Sequence, residues 1–373
     1  MNKTLIAAAA LASLAGVAQA QSVTLYGRVD VGFEYVSKTA TGTFNGAPDQ
    51  RAGAPTDSVS NLQNGGILPS IWGLRGSEDL GNGLKAVFNL ESDFDGSTGG
   101  ERFSGTLRLF GRQANVGLSG GFGTVLLGRQ YSPAILADLG TEPRGFKESF
   151  SLLLPYALSQ SPAGNGTTGN NFLGIFNGNM VSYTGAFGPV TLRAGYGLGE
   201  VAGQSSAGRT IALGATYTGP VTVSGSYQSI KGLPAAAKDA ETKRYSLGVA
   251  VPVGDLTLKA YYSNSVGDNA TGTEIQDLSN IGLGVNYAWA PANTLTVAYY
   301  HGKDKKFAGG NGKTNDIVIS NDYALSKRTT FYAQYVHADV DANANPAGSI
   351  AADRFLVAGE KTSILSIGLK HDF

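Results

Sequence analysis

The sequence has 373 residues but no cysteine, two methionines, two tryptophans and three histidines. Without cysteine there is no disulfide framework and no thiolate metal site. The histidines, His301, His337 and His371, have no H-x-x-x-H spacing, so zinc lacks a ligand set. Asp339, Asp341 and Asn343 alternate like a calcium loop, but Ala344 stands where glycine is required and no glutamate closes the loop. After Val17 no apolar run reaches the length of a transmembrane helix. Basic and acidic side chains balance at 28 each, which excludes the basic stripe of a nucleic-acid binder.

The N-terminus has a lone Lys3, an apolar run from Leu5 to Val17, and Ala18-Gln19-Ala20. That order predicts a signal peptide over residues 1–20, cut before Gln21, and hence export. The chain also carries 53 glycines, about twice the ordinary share, with 17 tyrosines and 16 phenylalanines. An exported, cysteine-free, Gly- and Tyr-rich chain without helical pattern points to an all-β protein closed on itself, with outer-membrane barrels as the fitting class.

Alternation supports this. Val23, Leu25, Val29, Val31, Phe33 and Tyr35 share one face; Thr24, Tyr26, Arg28, Asp30 and Glu34 share the other. Similar segments follow at Ile67–Glu78, Leu84–Asp95, Gly105–Ser119, Thr124–Tyr131, Asn177–Phe187, Val190–Gly199, Gly208–Thr218 and Val221–Lys231. They continue at Thr242–Val251, Asp255–Ser265, Leu278–Trp289, Thr294–Lys303, Thr314–Ala324, Thr329–Asp339 and Glu360–Phe373. The prediction is a 16-stranded antiparallel transmembrane β-barrel. Its connections alternate short and long, as outer-membrane barrels require and sandwiches do not. Aromatics gather beside short turns (Tyr183, Phe187, Tyr217, Tyr287, Trp289, Tyr323) and beside long loops (Tyr35, Tyr196, Tyr227, Tyr262, Tyr299), as two interfacial girdles would.

If the apolar face meets lipid, the charged face (Arg28, Asp30, Glu34, Arg75, Glu91, Asp93, Arg193, Arg244, Lys259) lines water. Arg112 and Arg129 fall on apolar faces; either glycine bulges at Gly111 and Gly128 reset the alternation, or Arg112 meets a neighbouring subunit. Ser132 to Phe176 lacks alternation, is too long for an ordinary loop, and is expected inside the barrel. Gly117-Leu118-Ser119-Gly120-Gly121 matches G-x-S-x-G, but it lies between two strands where a nucleophile elbow needs a helix. Gly197-Leu198-Gly199-Glu200-Val201-Ala202 matches G-x-G-x-x-A without a following helix. No catalytic, metal or cofactor constellation results.

Val23-Thr24-Leu25-Tyr26-Gly27-Arg28, Trp72-Gly73-Leu74-Arg75-Gly76-Ser77-Glu78-Asp79-Leu80-Gly81, Phe110-Gly111-Arg112-Gln113-Ala114, Leu127-Gly128-Arg129-Gln130-Tyr131 and the ending Gly368-Leu369-Lys370-His371-Asp372-Phe373 resemble the general diffusion porins of Gram-negative outer membranes, β-proteobacterial type. The resemblance implies a homotrimer in the outer membrane with a long third loop folded into the lumen. It implies passive diffusion of small hydrophilic solutes and ions. It also implies contact with lipid and lipopolysaccharide and delivery by the barrel-assembly machinery, which reads the terminal Phe373. Across the waist, wall bases at Arg28, Arg75 and Arg129 would face loop acids, for which Asp138, Glu142 and Glu148 are the candidates. Two common wall arginines are missing: Ile71 precedes the Trp-Gly pair, and Phe176-Asn177-Gly178-Asn179 opens the strand after the loop. Net charge gives no sign of selectivity. A substrate-selective channel and a surface role for the outer loops remain as alternatives.

Overall fold

The computed structural model describes residues 22–44, 46–101, 109–160, 171–172, 174–232 and 240–373. The expected signal peptide at 1–20 and residues 105–108 of the expected fourth strand lie outside them. Hydrocarbon offers a backbone amide no partner, so strands that cross it must be paired on both edges. Eighteen strand segments form one sheet, and Ser22–Ala40 (β1) closes it by pairing with the last strand, Arg28 opposite Asp372 through Val36 opposite Ile364. On its other edge β1 pairs with Thr56–Asn64 above and Ile71–Gly81 below. Those two segments are one wall strand (β2) broken at residues 65–70. A further pair of residues, Asn171–Phe172, only extends the neighbouring strand. The wall therefore has sixteen strands, as the alternation implies.

The others are β3 (Leu84–Asp93), β4 (Gln113–Gly120), β5 (Gly123–Tyr131), β6 (Phe176–Phe187), β7 (Val190–Gly197), β8 (Thr210–Thr218) and β9 (Thr222–Lys231). They continue as β10 (Glu241–Val253), β11 (Leu256–Asp268), β12 (Glu274–Ala290), β13 (Asn293–Asp304), β14 (Lys313–Ala324), β15 (Thr329–Val340) and β16 (Lys361–Asp372). The turn between β2 and β3 shows how the short connections close: Asn82 and Gly83 both take positive φ (53° and 77°), the primed geometry that matches strand twist. Pleating then sorts the faces. On β1, Val23, Leu25, Val29, Phe33 and Tyr35 are 37–60% exposed outward, while Asp30 and Glu34 are buried inward. The girdle residues Tyr35, Tyr196, Tyr217, Tyr262, Tyr287, Trp289, Tyr299 and Tyr323 are likewise exposed.

Three regions differ from the sequence reading. The segment between the first two expected strands, residues 38–66, contains the upper half of β2; with Val59 and Leu62 as its only apolar residues, Thr56–Asn64 shows no period. The third loop is not structureless: it holds α1 (Pro133–Asp138) and α2 (Leu153–Ser159). Ser132 caps α1, accepting from the Ala134 amide, and Pro133 occupies the first turn, a local start signal. The final long loop, 341–360, also folds inward. Its Ile350 and Leu356 pack with Phe146, Phe150, Leu152 and Tyr156 of the third loop and with inward Val36, Val318, Val336 and Ile364 of the wall. The upper barrel thus holds an apolar core, and a cavity lined from β1 to β6 lies beside it.

Gly32 and Gly368 face each other across the closing seam. A Cβ on Gly32 would stand 2.7 Å from the Ile367 carbonyl and 2.9 Å from Gly368 Cα. Gly32→Val is expected to cost at least ~1–3 kcal/mol by overpacking. A lower temperature for loss of the folded band on semi-native gels checks it.

Candidate functional site

The third loop lines the inside of the wall as a crescent. At its start the Ser132 amide donates to Ile175 O (2.8 Å), and the Ser132 hydroxyl bonds Gln228 of β9. α1 then packs on β7, β8 and β9. At its end Asp138, fully buried, accepts from the hydroxyls of Ser224 (3.0 Å), Ser226 (2.9 Å), Ser246 (2.5 Å) and Tyr261 (2.8 Å), on β9, β10 and β11. Arg244 donates to the same Tyr261 hydroxyl at 3.0 Å. Glu142 is also fully buried. It accepts from the amides of Arg144 (2.7 Å), Phe146 (2.9 Å) and Leu152 (3.2 Å) and from Tyr300 of β13 (2.9 Å). Beyond it Arg144 bonds Gln334 of β15 and Lys147 pairs with Asp322 of β14. Burial lowers the proton affinity of both Arg144 and Lys147, against the nearby Asp322 charge in each case. The Ser149 hydroxyl closes the crescent on Gly65 O (3.0 Å), where β2 is broken. Arg354 of the last loop locks this end, donating to Glu34 (2.9 and 3.1 Å) and to Ser149 (3.2 Å).

The acids expected to face the pore therefore divide. Asp138 and Glu142 turn to the wall and into the loop, because only there do enough donors converge to satisfy a buried carboxylate. Glu148 alone of the three lines the open cavity. That cavity, about 440 Å³, runs between wall residues Arg28, Glu91, Arg112 and Tyr131 and loop residues Leu136, Leu139, Phe146, Leu153 and Leu154. What the loop presents to water is thus mostly leucine: Leu139 is 42% exposed.

The wall bases divide as well. Arg28 lines the cavity, its Nε 3.3 Å from Asp372 Oδ1. Arg75 lines a second lumenal cavity of about 390 Å³ nearer the short turns, with Asn89 and Asn115, and lies 5.0 Å from the Tyr26 ring centroid. Arg129 is in register with Ala114; its Nε donates to Gly111 O (2.5 Å) and its guanidinium lies 5.8 Å from the Phe176 ring. Arg112 faces the lumen, not a neighbouring subunit. It precedes β4 in a bend, so strand alternation does not govern it, and its Nε donates to Glu91 at 2.7 Å. Arg193 and Lys259 lie on the same inner face: Arg193 donates to Thr216 (3.2 Å), Lys259 to the Glu142 carbonyl (3.1 Å). Arg354, Leu136 and Leu139 escaped sequence reasoning, whereas Leu153 and Leu154 belong to the apolar run Leu152-Leu153-Leu154-Pro155-Tyr156, which reads from the sequence either as a binding track or as a loop anchor.

A closed sixteen-strand wall with an apolar outside, a charged inside and an inward loop defines a membrane channel. The chain belongs to the Gram-negative porin family, whose model matches residues 7–343. It is 29% identical to an outer membrane porin protein of Bordetella pertussis and 30% identical to outer membrane porin protein 32 of Delftia acidovorans, over all of each chain. Among solved structures, an anion-selective porin from Comamonas acidovorans is 26% identical, with a TM-score of 0.77 over 95% of this chain and 100% of that one. The protein is an outer-membrane channel for passive diffusion.

Removing the Asp138 carboxylate by Asp138→Ala is expected to cost about 1–3 kcal/mol of loop anchoring, since four hydroxyls lose their common acceptor. Single-channel recordings should become noisier while ion selectivity stays unchanged. A clear shift toward anions would mean that the Asp138 charge reaches the pore.

Proposed function

We propose that this channel prefers anions and that its waist charge is set by the wall rather than by the third loop. The observation that carries the reading is the burial of Asp138 and Glu142 in hydrogen bonds. Meanwhile Arg75, Arg193 and Lys259 form no ion pair with a carboxylate among the described residues, and Arg28 has only the 3.3 Å approach to Asp372. Glu91 neutralises Arg112. A lumen lined by one sign of charge selects the other. The Comamonas porin, described as anion-selective, supports the same sign. In this reading Arg28 and Glu148 act at the waist, Arg75 acts in the second lumenal cavity nearer the short turns, and Arg193 and Lys259 add positive charge to the inner face. Wild-type protein in a planar bilayer with a potassium chloride gradient should give a zero-current potential of the anion-preferring sign. Arg75→Gln, Arg193→Gln and Lys259→Gln together should move it toward cations; no movement would remove these residues from the ion path.

The functional unit in this reading is a trimer in lipid and lipopolysaccharide, assembled through recognition of Phe373. Its support is the distribution of tyrosine. All outward tyrosines belong to β1 and β6 to β15; β2 to β5 have none and expose Val116, Leu118 and Leu127 instead. A face that lacks these tyrosines has fewer anchors for the lipid interface and is the better candidate for subunit contact. Val116→Arg is expected to cost ~2–4 kcal/mol if lipid covers the site, and to abolish trimers outright if subunits meet there. Leu247→Arg, on the girdled side, should leave trimers intact. Crosslinking and semi-native gels distinguish the two.

A further inference from the structure

The waist is asymmetric in a way that a plain sieve does not need. On the loop side, Leu136, Leu139, Leu153 and Leu154 line a continuous apolar strip, backed by the ring of Phe146. On the wall side stands Arg28, whose amino groups have no hydrogen-bond partner among the described residues and whose side chain is 26% exposed. Arg112 is held by Glu91, and Asp353 at the same cavity is held by Arg354. The cavity volume, about 440 Å³, lies within the range of small-molecule sites. Water wets the strip poorly, and an apolar solute body laid against it removes surface from water on both sides.

The geometry points to a subsite for amphipathic monocarboxylates, with the aliphatic or aromatic body on the leucine strip and the carboxylate on the Arg28 guanidinium. A planar fork of donors suits that head group better than a point charge would. Small inorganic anions and fully hydroxylated acids use the arginine but not the leucines. Apolar neutral solutes use the leucines but not the arginine. Glu148, on the loop side of the same cavity, opposes the carboxylate and keeps the subsite weak enough to release its occupant. This assignment rests on the reading that the cavity lies on the ion path.

The test is block of chloride current through single trimers by hexanoate and benzoate, with glycolate as the polar control. Hexanoate and benzoate should block saturably at concentrations where glycolate has no effect. Leu136→Ser with Leu139→Ser should weaken that block roughly tenfold, the discrimination expected when apolar contacts in a pocket are lost. Leu153→Asn, on the second helix, carries the same expectation if the first pair fails to assemble. Arg28→Gln should also weaken it, and Glu148→Gln should strengthen it. Equal block by hexanoate and glycolate, or block indifferent to the leucine variants, overturns the subsite. The anion preference fails separately: a cation-preferring zero-current potential with hexanoate block intact sinks that reading and leaves the subsite standing.

Discussion

One carboxylate fastens the third loop to the barrel. Asp138 draws together four hydroxyls from three wall strands and is fully buried against them, away from the pore. A buried carboxylate without such partners would carry several kcal/mol of desolvation, so the loop end goes where the donors are. With α1 fixed in this direction, its opposite side, Leu136 and Leu139, has to face the lumen. The same logic repeats at Glu142, whose three backbone donors curl the loop and whose tyrosine donor ties the curl to β13. Charge that would otherwise have set the field across the waist is spent on holding the loop in place.

Closure of the sheet makes this possible. Sixteen strands leave an interior too wide for side chains alone to fill, so loops enter it. The third loop and the loop of residues 341–360 share one apolar core above the waist, through Phe150, Leu152, Ile350 and Leu356. Their union narrows the channel from one side only. A cavity beside it runs along β1 to β6, with Arg28 and Arg112 on the wall and leucines on the loop.

The wall was legible in the sequence because its two faces meet opposite solvents. Lipid outside and water inside write a period of two into each strand, and Asn82-Gly83 writes the turn. Residues 56–64 were missed for the same reason in reverse: with two apolar side chains among nine they carry no period, and only pairing with β1 makes them a strand. The loop acids stand out in the sequence, but the direction each one takes does not. The partners of Asp138 lie 86 residues and more along the chain, and Tyr300 lies 158 residues from Glu142. Nothing local distinguishes an acid that will meet four hydroxyls from one that will meet water. Arg112 was ambiguous because alternation was applied to a residue that stands just outside its strand.

The third loop turns Asp138 and Glu142 to the wall and its leucines to the pore. The chain has no native cysteine, so single cysteines report cleanly on direction. Leu139→Cys and Ala137→Cys stand two residues apart, one 42% exposed and the other 1%. Modification of open channels by a charged methanethiosulfonate should change the current through Leu139→Cys promptly and leave Ala137→Cys untouched. Equal reaction at both positions, or faster reaction at residue 137, would contradict the account.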